Sequence, residues 1–307
     1  MLEKKKGNAW FPYVLIIPGV LILFLVKFLP FFQNVFYSFT DFSLLNKDQS
    51  LAGIHHYIDI YFGREFFPSL RITLIWAVFN IALMMLIGLI AAFVMNSSSI
   101  KGVVILEVFL LIPWVLPEVV TGYVWRLLLN YQTGPYYKVL EFLGIIAHGE
   151  DIFSNDTYAM AAVVMANVWR SFPIVAITVF AKLKTLAKDQ IEAAVIDGAK
   201  RRVIFFSIEL PHVAATMASV LTLCFVWTFN AFGIIRVMTG GGPAGATEVL
   251  SIRLQRIAFE FYDYSYSSAF SVMMILVLIG IVLMANFAPS MVKKAFSRKR
   301  LSERSEV

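Results

Sequence analysis

One cysteine, Cys224, and four histidines in 307 residues leave little material for several kinds of chemistry. A lone cysteine excludes an intramolecular disulfide and any cysteine-based metal cluster. His55 and His56 are adjacent but lack an obvious third ligand, so no metal site is expected. Charge is also scarce, at 15% of residues against about 25% in soluble domains. There is no HExxH, no paired-acid motif for a metal pyrophosphate and no Ser–Lys arrangement near a span end, which argues against a membrane enzyme. No low-complexity linker and no appended soluble domain appear, and nothing points to a nucleic-acid partner.

What remains is apolar: 59% of residues are hydrophobic and the mean hydropathy is +0.76. Water cannot host so much apolar surface without a polar shell, which makes lipid the expected solvent. A spanning helix needs about 20 mostly apolar residues. Six stretches qualify, at about 12–38, 70–95, 103–129, 157–180, 213–238 and 268–290. In lipid each backbone must satisfy its own hydrogen bonds, so the fold class is an all-α membrane protein of six helices over 12–290. Lys27 and Pro30 interrupt the first span, and Glu107, Pro113, Pro117 and Glu118 the third, so kinks are expected there. The apolar run from Phe11 to Phe39 exceeds the core of a cleavable signal, and no small-residue cleavage site follows it, so it reads as a retained span.

Basic residues set the expected orientation. If the N-terminal segment 1–11 is inside, the inner segments (1–11, 96–102, 181–212 and 291–307) hold 16 of the 26 Lys and Arg, and the outer ones hold 5. Both termini are therefore expected in the cytoplasm. The basic tail 291–307, with Lys293, Lys294, Arg298, Lys299 and Arg300, suits attraction to anionic lipid.

The inner loop 181–212 has the most pattern. Asp189 and Glu192 fit the start of a short helix, with Asp189 as its cap and Glu192 at the capping-box position. Gly198 permits the left-handed turn that ends it. A second short helix is expected from Lys200 to Glu209, with Pro211 marking entry to span five. The small residues Ala193, Ala194 and Ala199 offer a close-packing face. Such a surface suits docking into another protein, and equally an amphipathic connector lying in the lipid interface.

The order Glu192-Ala193-Ala194, then Gly198, then Ile208-Glu209-Leu210-Pro211 after nine residues closely resembles the signature loop of permease subunits of binding-protein-dependent, ATP-driven importers. Pro30 with Ser38-Phe39-Thr40-Asp41, Trp169 with Phe172-Pro173, and Thr239-Gly240-Gly241-Gly242-Pro243 followed by Thr247 and Ala258-Phe259 resemble further stretches of the sugar permeases. More closely, the chain resembles the larger maltose-permease type, here without its extra N-terminal spans and large periplasmic insertion. Lys200-Arg201-Arg202 departs from the pattern, where a small residue and a mixed pair are commoner. The resemblance implies a type I importer permease fold in a bacterial cytoplasmic membrane. It makes the Glu192 loop a coupling helix for a separate ATPase, with Glu192, Ala193, Ala194, Asp197, Gly198, Ala199, Ile208, Leu210 and Pro211 as its signature residues. The partners implied are a second permease, two ATPase subunits carrying the ATP and Mg, an external solute-binding protein and a sugar.

Polar groups inside spans are costly and usually functional or bundle-facing. Sugars need hydrogen-bond partners together with aromatic faces, and Asn167, Ser171, Trp227 and Thr228 offer that mixture on spans four and five. Laid on the maltose-permease pattern, Asn167, Arg170, Ser171, Ile174, Cys224, Trp227, Thr228 and Ala231 fall where sugar contacts occur. Arg170 fits either a charged sugar or a neighbouring helix, and Glu118 has no assigned role. The run from Gly240 to Thr247 has phosphate-loop spacing except that Ala246 replaces the lysine, so it reads as a glycine-rich outer loop and no cofactor is expected in this chain. Another small polar solute, a stand-alone ion-coupled carrier or a membrane enzyme are the alternative readings. No internal repeat supports the carrier, and neither it nor an enzyme uses a docking loop of this kind.

Overall fold

The computed structural model describes residues 10–43, 50–97 and 102–305, and the side chains of all of these except 11, 12 and 286–305. Lys4, Lys5 and Lys6 lie outside the described residues, and so do the side chains of the basic tail. Among the described residues there is no strand, only an isolated bridge between Thr40 and Leu51.

Among the described residues five helices are long and apolar enough to cross a membrane: Tyr13–Tyr37, Phe66–Met95, Asp156–Leu183, Arg201–Phe229 and Tyr264–Ala285. A sixth candidate is a pair, Val103–Val115 (α5) and Glu118–Leu128 (α6), bent by 95°. The third expected span is thus broken rather than kinked. Pro117 drives Leu116 out of the helical region, to φ −64 and ψ 134, as the residue before a proline generally is.

Two spans contain a wide turn for a shared reason. The helices Phe11–Leu23 (α1) and Leu29–Tyr37 (α2) are joined by a π turn over Phe24–Phe28, and Arg201–Ile204 (α10) and Leu210–Phe229 (α11) by another over Phe205–Glu209. In each, the residue before a proline donates five residues back: Leu29 to the Phe24 carbonyl and Leu210 to that of Phe205. Pro30 and Pro211 have no N–H to give and would clash with the carbonyl four back in a regular helix. Widening by one residue makes the room, as π bulges do. This corrects the expected loop: no separate helix ends at Glu209, and Ile208, Leu210 and Pro211 lie within the continuous span Arg201–Phe229.

The fifth span also stops early. Expected to 238, it ends at Phe229, where the Asn230 side chain returns to the Val226 carbonyl at 2.8 Å and competes with continuation of the helix. A short helix, Gly233–Met238 (α12), follows.

The chain forms two compact units, residues 67–253 with 278–307, and residues 1–66 with 254–277. In the larger unit, Asp156–Leu183 (α8) is the central element and packs against α5, α6, α11 and α12. Its start is capped by Asn155, whose side chain accepts from the backbone N–H groups of Thr157 and Tyr158. Phe66–Met95 (α4) approaches it closely at Gly88. Among the buried apolar residues of this unit are Trp76, Met84, Leu129, Val163, Val175, Val179 and Ile234.

The smaller unit is tied by hydroxyls. Ser265, in Tyr264–Ser305 (α14), pairs with Thr40 at 3.0 Å and accepts the Phe42 N–H at 2.8 Å. Asn34 donates to Ser271 at 2.8 Å, and His56 and the Thr40 carbonyl are 2.9 Å apart. Ser38, fully buried, contacts the Tyr57 hydroxyl at 2.6 Å. Between Tyr13 and Tyr37, by contrast, the most apolar window has none of its residues buried, and among the described side chains of that helix only Asn34 and Val35 are half-buried.

Candidate functional site: a polar cavity and an exposed helix

Two features stand out in the larger unit. The first is a cavity of about 450 Å³ beside the broken span. Seven of the eight residues expected to contact solute line it: Asn167, Arg170 and Ser171 from α8, and Cys224, Trp227, Thr228 and Ala231 from α11 and the turn after it. Ile174 does not. It shares the helical stripe of Asn167 and Arg170, but packs against the apolar core about one turn further along.

A chain of buried hydrogen bonds runs behind two of the lining residues, Asn167 and Thr228. Asn167 Nδ2 donates to Asn80 Oδ1 at 2.7 Å, Asn80 Nδ2 to the Trp76 carbonyl at 2.8 Å, and Trp76 Nε1 to the Thr228 carbonyl at 2.9 Å. Asn80 is fully buried and Asn167 is 4% exposed, so each amide needs a partner. The relay joins α4, α8 and α11 across the apolar interior. Asn80 and Trp76 were missed from sequence, although an amide midway along an apolar span is the kind of signal that marks such a position.

The lining also holds two charges. Arg170 Nε donates to the Leu116 carbonyl at 3.1 Å, a group freed by the break between α5 and α6, and Nη1 lies 3.7 Å from Glu118 Oε1. Glu118 Oε2 accepts the Gly233 N–H at 3.0 Å, at the start of α12. Glu118 also stands in the first turn of α6, where the helix dipole favours a negative charge. Arg170 and Glu118 therefore hold together α8, both halves of the broken span, and α12. Close approach of α6 and α12 depends on Gly122, where an added Cβ would lie 3.0 Å from Val237 Cβ. Trp114, Met84, Val226 and Asn230 complete the lining.

The glycine-rich stretch after α12 is closed on itself. Thr239 and Thr247 hydroxyls are 2.7 Å apart, and Thr247 Oγ1 also donates to the Gly242 carbonyl at 2.7 Å. The next helix, Leu250–Phe259 (α13), begins with the Leu250 N–H donating to Thr73 Oγ1 on α4 at 2.9 Å. These bonds turn the loop inward on its own threonines.

The second feature is Lys188–Ile196 (α9), between α8 and the span beginning at Arg201. Its cap is Ala187 and makes no side-chain bond; Asp189 lies instead in the first turn. There its charge favours the helix through the dipole rather than by capping, which corrects the expected role. The other end follows the expectation. Ala199 N–H reaches the Ala194 carbonyl at 2.9 Å, Gly198 N–H reaches that of Val195 at 3.0 Å, and Gly198 has φ +78. This paired bonding around a left-handed residue is a Schellman motif.

Both flanks of α9 are anchored, and most of the helix itself is exposed. His212 Nε2 lies 3.1 Å from both the Lys182 carbonyl and Thr185 Oγ1. Arg201 pairs with the buried Glu209 at 2.9 Å, and the rings of Phe93 and Phe205 meet at 4.8 Å. Glu192, Ala193, Asp197 and Gly198 are exposed or half-buried, as are Ala194 and Ala199. Two apolar side chains project as well: Val195 is 57% and Ile196 85% exposed.

The signature loop, the broken span and the cavity coincide with a family match. Residues 84–293 match the model of the binding-protein-dependent transport system inner membrane component. The chain belongs to that family. It is a multi-pass membrane permease with the type I importer permease fold. The trehalose/maltose transport system permease protein MalF of Thermococcus litoralis is 30% identical over 272 residues, covering 88% of this chain and 90% of the relative. The sn-glycerol-3-phosphate transport system permease protein UgpA of Pectobacterium atrosepticum is 27% identical over 275 residues, covering 89% and 92%. A crystal structure of a bacterial ABC transporter that imports the acidic polysaccharide alginate contains a chain that superposes with a TM-score of 0.78 at 18% identity, covering 93% of this permease and 96% of that chain.

Proposed function

We propose that this permease carries a sugar or sugar-like solute through a pathway shared with a second permease, and that α9 docks into a separate ATPase on the cytoplasmic side. The observation that carries the docking is the exposure of α9. Val195 and Ile196 stand out from a short helix that is anchored at both flanks and closed by the Schellman turn at Gly198. An exposed apolar patch rimmed by Glu192 and Asp197 suits a groove in a protein better than water. The excess of basic residues in segments 1–11, 96–102, 181–212 and 291–307 supports placing α9 and both termini in the cytoplasm, in a bacterial cytoplasmic membrane.

The solute reading rests on the cavity and on the relatives' names. Asn167, Ser171 and Thr228 supply hydrogen-bonding groups, and Trp227, 48% exposed, supplies an aromatic face. Two relatives are named for trehalose/maltose and for multiple sugars. Transport then runs by alternating access. ATP binding brings the ATPases together, α9 and its counterpart on the second permease follow, and the cavity opens outward to receive solute from an external binding protein. Hydrolysis resets it inward. In this scheme ATP and Mg are held by the partner ATPases and this chain does no chemistry itself.

Purification of the tagged chain from its native membrane tests the assembly. Wild type should bring down a second six-span protein and a nucleotide-hydrolysing subunit. Glu192→Lys should lose most of that ATPase while retaining the second permease. A chain that purifies alone returns the stand-alone carrier reading.

A further inference from the structure

The Thermococcus litoralis and Pectobacterium atrosepticum relatives differ in the charge of what their names say they carry, a neutral disaccharide against a phosphate ester. The cavity distinguishes these chemistries. Twelve residues line it, and among them are one cation, Arg170, and one anion, Glu118. These two face each other, with Arg170 Nη1 3.7 Å from Glu118 Oε1. Neither is easily redeployed. Arg170 Nε is held by the Leu116 carbonyl, and Glu118 Oε2 by the Gly233 N–H. The backbone of two helix ends therefore fixes both members of the pair.

We propose that this cavity selects an uncharged polyhydroxy solute and rejects anionic ones, because its single arginine is neutralised in place by Glu118. The inference rests on reading the cavity as the solute site. A sugar hydroxyl both donates and accepts, so it meets a guanidinium N–H and a carboxylate oxygen side by side without stripping either of its partner. A carboxylate or phosphate offers acceptors only. To reach Arg170 it must lie within a few ångströms of the Glu118 carboxylate, in a partly desolvated site where like charges repel strongly. Glu118 thus acts by exclusion as much as by contact.

The test uses the importer purified with the subunits that accompany it and reconstituted in lipid nanodiscs. Calorimetric titration compares neutral mono-, di- and trisaccharides with glucuronate and glucose 6-phosphate. Wild type should bind a neutral sugar at least tenfold more tightly than any anionic one. Glu118→Gln should move the anionic-to-neutral ratio by at least tenfold toward the anion, and Glu118→Gln with Arg170→Gln should reverse that gain. Anionic sugar bound by wild type as tightly as neutral sugar, or a ratio unmoved by Glu118→Gln, overturns this inference and leaves the sugar-importer reading intact. Absence of binding by every sugar, neutral or charged, overturns the sugar reading and this inference with it.

Discussion

Replacing Gly198 with valine is expected to cut solute uptake at least tenfold while leaving the protein inserted and its long helices intact. Gly198 holds φ +78 at the end of α9, and an added Cβ would meet nothing within 4 Å. The penalty is therefore conformational and not a clash. Left-handed backbone costs an ordinary residue about 1–2 kcal/mol, and a β-branched one resists it further. The chain escapes by unwinding the turn, which breaks the bonds from Ala199 to Ala194 and from Gly198 to Val195. The direction in which α9 presents Val195 and Ile196 is then lost. Uptake by reconstituted vesicles, set beside the circular dichroism of the purified chain, checks both halves of the expectation. Gly198→Asn should be milder, since asparagine tolerates the left-handed region. Equal damage from asparagine and valine would mean that the glycine is needed for something other than its φ.

Gly88→Val should have the largest effect on stability. Here space decides. A Cβ at Gly88 would lie 2.6 Å from Val175 Cβ and 3.1 Å from the Phe172 carbonyl oxygen, so α4 and α8 must move apart. Overpacking typically costs about 1–3 kcal/mol. The displaced helix also carries Asn80 and Trp76, so the relay to Asn167 and to the Thr228 carbonyl is strained as well. A buried amide left unpaired costs about 1–3 kcal/mol more. Thermal unfolding in detergent should show a lowered midpoint and a smaller folded fraction. Val175→Ala in the same chain should restore part of the loss by removing the methyl carbon at 2.7 Å.

Much of this fold is readable along the sequence because lipid imposes a one-dimensional rule: apolar runs of sufficient length become helices. Span positions follow from it to within a few residues, as with 157–180 against Asp156–Leu183. Departures occur where the backbone is satisfied by something distant in sequence. Proline signals at Pro113 and Pro117 indicate a disturbance but not a 95° bend, which depends on Arg170 donating to the freed Leu116 carbonyl. The π turns before Pro30 and Pro211 need only local information, but a residue pattern tuned to 3.6 residues per turn does not register them. The early stop of span five depends on Asn230 and on Gly233 meeting Glu118, two spans away.

The cavity was legible residue by residue on α8 and α11, where the resemblance supplied positions, and illegible on α4. Asn80 lies in one of the most apolar stretches of the chain, and its partner Asn167 is 87 residues away. Ile174 shows the opposite failure. Helical periodicity places it on the stripe of Asn167 and Arg170, yet the cavity closes before reaching it. Charge pairing was likewise invisible: Arg170 read as facing either a charged sugar or a neighbouring helix, Glu118 had no role, and only the structure brings the two side by side.

The docking of α9 can be tested with the protein's own cysteine count. Cys224 is the single cysteine and is buried at 2% exposure, so a cysteine introduced in place of Ile196, 85% exposed, is by far the more accessible of this chain's two thiols. Native membranes carrying Ile196→Cys are treated with a short thiol-to-amine crosslinker, and the products identified by mass spectrometry. If α9 docks as proposed, a single major adduct forms with a nucleotide-hydrolysing subunit, and its yield changes when ATP is added. In intact cells an impermeant maleimide should leave the introduced thiol unlabelled. Ready labelling from outside, or adducts to lipid and to no ATPase, would contradict it.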